Sequence, residues 1–179
     1  LRALGKWMYM QYDSLNRPVL SGLWATNKSL KNLQNHASTS VSYPNPTSNY
    51  EILTETYYDN YSWVGASGSG LNNALITANG VTGTSYFYAA GDNVFPYPRA
   101  ITQSNFTDGL VTGSKVKVLG TNTYLYSVSF YDDHSRVIQV HSTNNSGKKD
   151  TIISQYSFSG QLLRTLVCHG KGIANDGIT

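Results

Sequence analysis

Apolar and polar residues alternate along much of the chain, in short runs that turn-forming residues separate. The alternation is clearest in the last third, with runs at 114–120, 123–131, 136–143, 150–158 and 161–168. A period of two residues is typical of strands, and Gly, Asn and Ser between runs are typical of turns. This part of the chain is therefore predicted to form an antiparallel meander.

The rest of the chain carries the same pattern less regularly. A helix is predicted over 25–38, because Leu30 and Leu33 lie three residues apart and Asn27 offers an N-cap side chain. The segment 40–49 is a proline-containing loop, and a loop-rich insertion is expected over 65–110. Further strands are predicted at 6–12, 17–24, 50–59 and 84–90. The whole chain, 1–179, is therefore predicted to form one all-β domain with one or two short helices.

Composition narrows the class of protein. Charged residues make up 13% of the chain, against about 25% in ordinary soluble proteins, and the 14 tyrosines favour strands. The net charge is +3, and the lysines are scattered apart from Lys115/Lys117 and Lys148–Lys149, which argues against nucleic acid as a partner. No apolar run approaches the ~20 residues of a membrane helix. Because the chain begins at Leu1 and ends in a loop-like stretch, we expect it to be a piece of a longer polypeptide.

Four segments share one frame: YDSLNRPV at 12–19, YDNYSWVG at 58–65, YDDHSRVI at 131–138 and YSFSGQLL at 156–163. A tyrosine is followed by a short polar residue, which suits the first position of a type I turn. Three residues later stands Asn, Ser or Gly, where a three-residue hairpin needs a left-handed residue. The residues of the frame are Tyr12, Asp13, Asn16, Arg17, Tyr58, Asp59, Tyr131, Asp132, Arg136, Tyr156 and Gly160.

The frame predicts four tight turns, at Asp13–Asn16, Asp59–Ser62, Asp132–Ser135 and Ser157–Gly160. The acids are expected to shape the turns, and the tyrosine rings to pack over the hairpins. Arg17 and Arg136 begin the return strands, close enough to meet the acid across the turn. The intervals between the units are unequal, so insertions are expected between them.

Tyr-Asp-x-x-(Gly/Asn/Ser)-Arg followed by an apolar strand resembles the YD repeat of RHS-family proteins. Four stretches are similar to the RHS proteins of Bacteroidetes: KWMYMQYDSLNRPVLSG, TETYYDNYSWVG, KVLGTNTYLYSVSFYDDHSRVIQVHSTNN and SQYSFSGQLLRT. The resemblance implies a secreted or cell-surface bacterial polypeptide whose repeats wind into a curved, hollow β-sheet shell. It implies as partners the remainder of that polypeptide and a C-terminal toxin domain, whereas related animal proteins use such a shell for adhesion.

The stretch FYDDHSRVIQV places Asp132, Asp133, His134 and Arg136 side by side, as in many active sites. The position of His134 is occupied by Leu15 in the first unit and by Ser159 in the fourth, which a turn tolerates and a catalytic site would not, so a turn is the better interpretation. Cys168 and His169 are neighbours on a predicted strand and point to opposite faces, which disfavours a nucleophile–base pair. The histidines show no metal-ligand spacing. No catalytic residue, metal site or cofactor is predicted.

Two functions therefore remain open at this point. The first is a non-catalytic segment of a YD-repeat shell, in a protein that encloses a toxin or mediates adhesion. The alternative is a surface module that stacks a glycan or a partner protein on exposed aromatic residues, with Trp7, Trp24 and Trp63 as candidates. Under the first hypothesis, 6–12 or 161–168 is expected to be a bare sheet edge and to self-associate.

Overall fold

The computed structural model describes residues 5–76, 86–91, 93–170 and 177–178. Within them the chain is mainly β, with two short helices, which confirms the predicted all-β class. The strands are β1 (Lys6–Tyr12), β2 (Pro18–Ala25), β3 (Tyr50–Tyr58), β4 (Val111–Lys117), β5 (Tyr124–Tyr131), β6 (Val137–Thr143), β7 (Lys149–Tyr156), β8 (Leu162–His169) and β9 (Gly177–Ile178). The helices are α1 (Leu30–Thr39) and α2 (Trp63–Ala66).

Strand order in the sheet follows the chain, from β1 to β9. The pairs β1–β2 and β2–β3, and each successive pair from β5 to β9, are antiparallel, as predicted for a meander. Within the described residues β1 has β2 as its single neighbour, so it forms one edge of the sheet. The other predicted edge, 161–168, is partly covered, because β9 pairs with Cys168 and His169.

The residues group into two compact units. The first comprises Leu1–Thr56 and Ser114–Tyr124. Its buried aromatic residue is Tyr9, whose ring covers the cross-strand partner Gly22. A Cβ at Gly22 would lie 2.6 Å from that ring and from the Glu51 carbonyl oxygen, so only glycine fits there. The ion pairs Lys115–Glu55 (2.7 Å) and Lys117–Glu51 (2.9 Å) lie in this unit.

The second unit comprises Tyr57–Gly113 and Leu125–Thr179 and holds the main apolar core. Tyr61 stacks on the fully buried Phe130 with ring centroids 5.1 Å apart. Burying one such side chain contributes about 1.5–3 kcal/mol. The other buried members of this core are Val64, Leu71, Val128 and Ile138.

The helix starts later than the sequence predicts. Strand β2 continues to Ala25, and α1 begins only at Leu30. Its N-cap is Ser29 rather than Asn27, because the Ser29 hydroxyl accepts a hydrogen bond from the Asn32 amide at 3.3 Å. The prediction of a helix was therefore right in kind and wrong at its N-terminus.

Two buried glutamines hold the segment between α2 and β4, in which the described residues form no helix or named strand. Gln139 accepts from the Ile76 amide at 3.1 Å and donates to the Ile76 carbonyl at 2.8 Å. Gln155 does the same with the amide and carbonyl of Tyr88, both at 2.9 Å. Each carboxamide thus takes the place of one residue of a neighbouring strand.

The strand predicted at 84–90 is wrong over its described part, since residues 86–90 form a bend and a turn, while 84 and 85 lie outside the described residues. The backbone of this segment bonds to side chains of the sheet instead of to a ladder. Besides the Gln155 contact, Arg164 donates to the Tyr86 carbonyl at 2.6 Å and lies over the Tyr88 ring. None of the helices in the described part of the chain is long and apolar enough to cross a bilayer.

We expect the tyrosines of the frame to differ sharply in their contribution to stability. Tyr131 is 8% exposed and donates to the Val111 carbonyl at 2.6 Å, whereas Tyr12 is 56% exposed. Tyr131→Ala should lower the free energy of unfolding by ~3–5 kcal/mol, as other buried aromatic truncations do. Tyr12→Ala should lower it by less than about 1 kcal/mol. Urea denaturation measures both, and equal losses would contradict the packing described.

Candidate functional site

The residues of the frame meet in a hairpin turn that recurs with the same hydrogen bonds. The Asp13 carbonyl accepts from the Asn16 amide at 3.1 Å, and the Asp13 amide donates to the Arg17 carbonyl at 3.0 Å. Asp132 makes the same two bonds, at 3.1 and 3.0 Å, with Ser135 and Arg136. Asn16 and Ser135 have φ of 60° and 58°, the left-handed conformation that the frame predicts. Both predicted turns are confirmed.

A side-chain oxygen closes each turn from inside. Asp13 Oδ1 accepts from the Leu15 and Arg17 amides, both at 2.9 Å. Asp132 Oδ1 accepts from the His134 amide at 2.9 Å and the Arg136 amide at 3.0 Å. The oxygen satisfies two amides that the short loop leaves without carbonyl partners.

The fourth predicted turn, Ser157–Gly160, is also confirmed, and it does without a charge. The Ser157 carbonyl accepts from Gly160 at 3.0 Å, and Gly160 has φ of 89°. The Ser157 hydroxyl accepts a hydrogen bond from the Gln161 amide at 3.0 Å. Turn closure therefore depends on an oxygen acceptor and not on a carboxylate.

The arginines meet the acids as predicted. Arg17 Nε donates to Asp13 Oδ2 at 2.7 Å, and Arg136 Nε donates to Asp132 Oδ2 at 2.7 Å. Burial alone would raise the pKa of Asp132, but the hydrogen bonds from Arg136 and the turn amides outweigh it and lower that pKa. At Asp13 the bond from the Arg17 amide is the largest cause of a lowered pKa. Both acids are thus held as carboxylates in their turns.

The turn predicted at Asp59–Ser62 is wrong. The Asp59 amide donates to the Leu110 carbonyl at 3.1 Å, and Asp59 Oδ1 accepts from the Gly109 amide at 2.7 Å. Asp59 itself has φ of 68°. The hydrogen bond from the Asp59 amide to the Leu110 carbonyl corresponds to the one from the Asp13 amide to the Arg17 carbonyl. Residues 60–109 therefore take the position that a short turn has in the other units. A local frame cannot reveal a return strand that begins fifty residues later.

A turn of the same kind at Asn144–Gly147 was missed. The Asn144 carbonyl accepts from Gly147 at 3.0 Å, and Gly147 has φ of 75°. Asn144 Oδ1 accepts from the Ser146 amide at 3.0 Å and the Lys148 amide at 3.1 Å. The signal in the sequence is Asn and Gly three residues apart, without the preceding tyrosine.

Tyrosines of the frame connect one hairpin to the next. Tyr131 donates to the carbonyl of Val111, the first residue of β4, and Tyr156 donates to that of Val137, the first residue of β6, at 3.1 Å. The β5–β6 and β7–β8 registers shift at Tyr131 and Tyr156, and the β1–β2 register shifts at Tyr12. The tyrosine therefore marks a β-bulge in each of these hairpins.

The charged cluster at Asp132, Asp133 and His134 is compact enough to be considered as a metal site. The neighbouring guanidinium groups occupy its oxygens, however. Arg99 donates to Asp133 Oδ2 at 2.8 Å, and His134 Nδ1 lies 2.8 Å from Asp133 Oδ1. Asp133 therefore has a lowered pKa, caused first by the bond to His134. A cation would have to displace Arg99 and Arg136, so the cluster is a turn with ion pairs.

His141 is the buried titratable side chain that the frame does not explain. It is 2% exposed, its ring lies 4.7 Å from that of Phe130, and its Nε2 lies 2.9 Å from Gln139 Oε1. Since that oxygen accepts, Nε2 carries the proton of the neutral ring. Burial, with the charge of Lys149 second, lowers the pKa of His141 to about 4. This burial of His141 was not predicted from the sequence.

Cys168 and His169 are not placed as a catalytic pair. The Cys168 thiol is free and half-buried, and burial raises its pKa, which disfavours the reactive thiolate. His169 is exposed and lies 3.8 Å from Asp150 through Nδ1.

Trp63 lies in the second unit, and Trp7 and Trp24 lie in the first. Trp63 stacks on Tyr57 with ring centroids 4.0 Å apart and donates to Thr112 Oγ1 at 3.2 Å. Its ring also covers Gly113, where a Cβ would overlap with it, so Trp63 belongs to the core of the second unit. Trp7 and Trp24 are cross-strand partners in the first unit and are both half-buried.

A different set of aromatic side chains is exposed. Phe95, Tyr97 and Phe158 are 82%, 51% and 77% exposed. The Phe158 amide donates to the Tyr97 carbonyl at 2.8 Å, and the Phe95 and Tyr97 rings meet edge to face at 6.3 Å. Tyr97 and Phe158 line a recess of about 420 Å³ together with Arg99. We call Phe95, Tyr97 and Phe158 the aromatic patch.

Comparison of the chain with family models, with curated proteins and with solved structures finds no match to any of the three.

We expect stability to fall with acidity between pH 6.5 and 4 because of His141. In that interval the unfolded chain takes up a proton at its ordinary pKa of 6.5, while the folded chain resists until about 4. The unfolded state then binds more protons, so acidification favours it, by about 3 kcal/mol over the whole interval. Chemical denaturation across this pH range should show the slope. His141→Gln should flatten it, and the exposed control His134→Gln should not. An unchanged slope in His141→Gln would contradict the assignment.

Proposed function

We propose that the chain is a non-catalytic structural segment of a YD-repeat shell of RHS type, in a secreted or cell-surface bacterial protein. The observation that carries the proposal is the recurrence of one turn, with the same side-chain-to-backbone hydrogen bonds, at Asp13, Asp132, Asn144 and Ser157. A shell built from repeated hairpins needs a turn that each hairpin forms from its own residues.

The contacts between hairpins support the same role. Arg136, paired with Asp132 in its own turn, also lies 4.9 Å from the Tyr156 ring and donates to the Ser157 carbonyl at 3.3 Å. Tyr156 in return donates to Val137. Nearest-neighbour contacts of this kind allow a sheet to be extended hairpin by hairpin, as in other repeat proteins.

The β1 edge is where such an extension would continue. Apart from Tyr12, the exposed apolar side chains of β1 are Met8 and Met10, at 60% and 41%. An edge strand leaves backbone N–H and C=O groups without ladder partners and is a template for another strand. The partner proposed here is the remainder of the parent polypeptide. In a shell that encloses a cargo, the cargo would be the C-terminal toxin domain of that polypeptide. In a shell that serves adhesion, the partner would be the surface of another cell.

The edge provides the test of this proposal. The isolated chain should self-associate through β1, since a second copy then takes the place of the missing strand. Light scattering over a concentration series should detect the dimer. A Met10→Lys variant should shift the equilibrium to monomer, and Leu119→Lys, a charge at a 77% exposed turn position after β4, should not. A longer product of the same gene, in which a further strand pairs with β1, should be monomeric. A monomeric isolated chain, or a longer product that still associates through β1, would contradict the shell.

The aromatic patch favours a second candidate, a surface module that binds glycans. Exposed rings offer flat apolar faces to a sugar, and Arg99 provides a hydrogen-bond donor at the edge of the recess. The site would lie at Tyr97 and Phe158 instead of at the tryptophans considered from the sequence.

Electrophoresis in native gels containing laminarin, xylan or mannan tests this candidate. If the patch binds one of them, Tyr97→Ala and Phe158→Ala should abolish the retardation that the wild-type chain shows. Phe106→Ala is the matched control, because Phe106 is 84% exposed and outside the patch. Absence of retardation in all three polysaccharides, or equal loss in the control, would leave the shell segment as the better proposal.

A further inference from the structure

One tyrosine position recurs in three hairpins, and its surroundings differ between them. Tyr12, Tyr131 and Tyr156 are the last residues of β1, β5 and β7, and the strand register shifts at each of them. Tyr131 and Tyr156 donate to the carbonyl of the first residue of the strand before, which is Val111 in β4 and Val137 in β6. In both hairpins the tyrosine hydroxyl therefore marks the point at which the preceding strand of the sheet begins.

Tyr12 has no such strand beside it within the described part of the chain. There β1 is paired with β2 alone, and the Tyr12 side chain is 56% exposed, against 8% for Tyr131. The Tyr12 hydroxyl contacts the sulfur of Met10 at 3.9 Å, and a thioether is a weak acceptor. The hydroxyl can therefore still donate a full hydrogen bond to a carbonyl.

Strand β6 shows what a neighbouring strand brings to such a tyrosine. Arg136, just before β6, lies over the Tyr156 ring at 4.9 Å and donates to the Ser157 carbonyl at 3.3 Å. The corresponding groups at the end of β1 are the Tyr12 ring and the Asp13 carbonyl. The carbonyls of Asp13 and Ser157 each accept from the amide three residues later, so they are placed alike in their turns. An arginine at the start of an incoming strand would therefore find the ring and the carbonyl that Arg136 uses.

We propose that the β1 edge binds an antiparallel strand that enters with Arg-Val after a turn, and that Tyr12 fixes its register. The valine carbonyl accepts from the Tyr12 hydroxyl, and the arginine lies over the Tyr12 ring. The side chains of the strand pack beside Met8 and Met10, which are 60% and 41% exposed. Backbone pairing at an edge specifies register only weakly, whereas the hydroxyl and the ring specify one. The inference rests on the proposed shell, because it gives the chemistry of the strand that the shell needs next to β1.

The probe is a fluorescein-labelled synthetic peptide with the sequence of residues 132–143, which includes the turn, Arg136 and strand β6. Fluorescence anisotropy should show saturable binding at chain concentrations at which light scattering finds monomer. In the complex, the β1 amides that do not bond to β2 should exchange their hydrogens more slowly, and the amides of α1 should exchange as before. Absence of saturation, or binding that leaves the β1 amides unprotected, would overturn the site.

Two variants separate the hydroxyl of Tyr12 from its ring. Tyr12→Phe should weaken binding of the peptide about fivefold, as the loss of one hydrogen bond does. Replacing Arg136 by Gln in the peptide should weaken binding to the wild type and to Tyr12→Phe alike. The same replacement should cost much less in Tyr12→Ala, where the arginine has no ring beneath it. An equal cost in all three chains would contradict the stacking.

The matched control is Tyr50→Phe, which removes the hydroxyl of a tyrosine that is 47% exposed and lies on β3. It should bind the peptide like the wild type. If Tyr12→Phe also binds like the wild type while the isolated chain self-associates through β1, the shell stands and this role of Tyr12 fails. If the peptide binds as described while the isolated chain stays monomeric, β1 is a strand-binding site and the shell fails.

Discussion

One side-chain oxygen at the start of each of four short turns, at Asp13, Asp132, Asn144 and Ser157, closes the hairpin there. At Asp13, Asp132 and Asn144 this oxygen accepts hydrogen bonds from the amides two and four residues later. At Ser157 it accepts one from the amide four residues later. Each hairpin is thereby closed by its own residues, within five positions of the chain. A contact this local forms at a small entropic cost and does not depend on which strand lies next to the hairpin.

The long segment 60–109 is compatible with this scheme because the two residues that flank it, Asp59 and Leu110, are hydrogen-bonded like the ends of a turn. The bond from the Asp59 amide to the Leu110 carbonyl keeps the return strand in place, whatever lies between. Neutral carboxamides then hold the segment itself. Gln139 satisfies one backbone N–H and one C=O, and Gln155 satisfies one N–H and two C=O groups. Buried polar groups that are fully paired in this way fix a loop without the desolvation cost of a buried charge.

Much of the fold could be predicted from the sequence because alternation and turn residues are local signals. The meander and the turns at Asp13, Asp132 and Ser157 follow from them. What could not be predicted depends on distant partners: the return of the chain at Leu110, the glutamine contacts to Ile76 and Tyr88, and the exposure of Phe158. The candidate binding surfaces were the feature least predictable from the sequence. Tryptophan is a residue type that often binds ligands. The stacking of Trp63 on Tyr57 and its packing over Gly113 become visible only when the strands are paired.

The two charged turns raise the question of what their arginines add, since Ser157 closes a turn without one. At Arg136 the answer lies in the next hairpin: the guanidinium contacts the Tyr156 ring and the Ser157 carbonyl while it pairs with Asp132. Tyr156 returns a hydrogen bond to Val137, so two successive hairpins are joined in both directions. The acid therefore serves its own turn, whereas the arginine and the tyrosine couple that turn to its neighbour. Such coupling is what makes a row of hairpins fold as one cooperative sheet instead of as separate pieces.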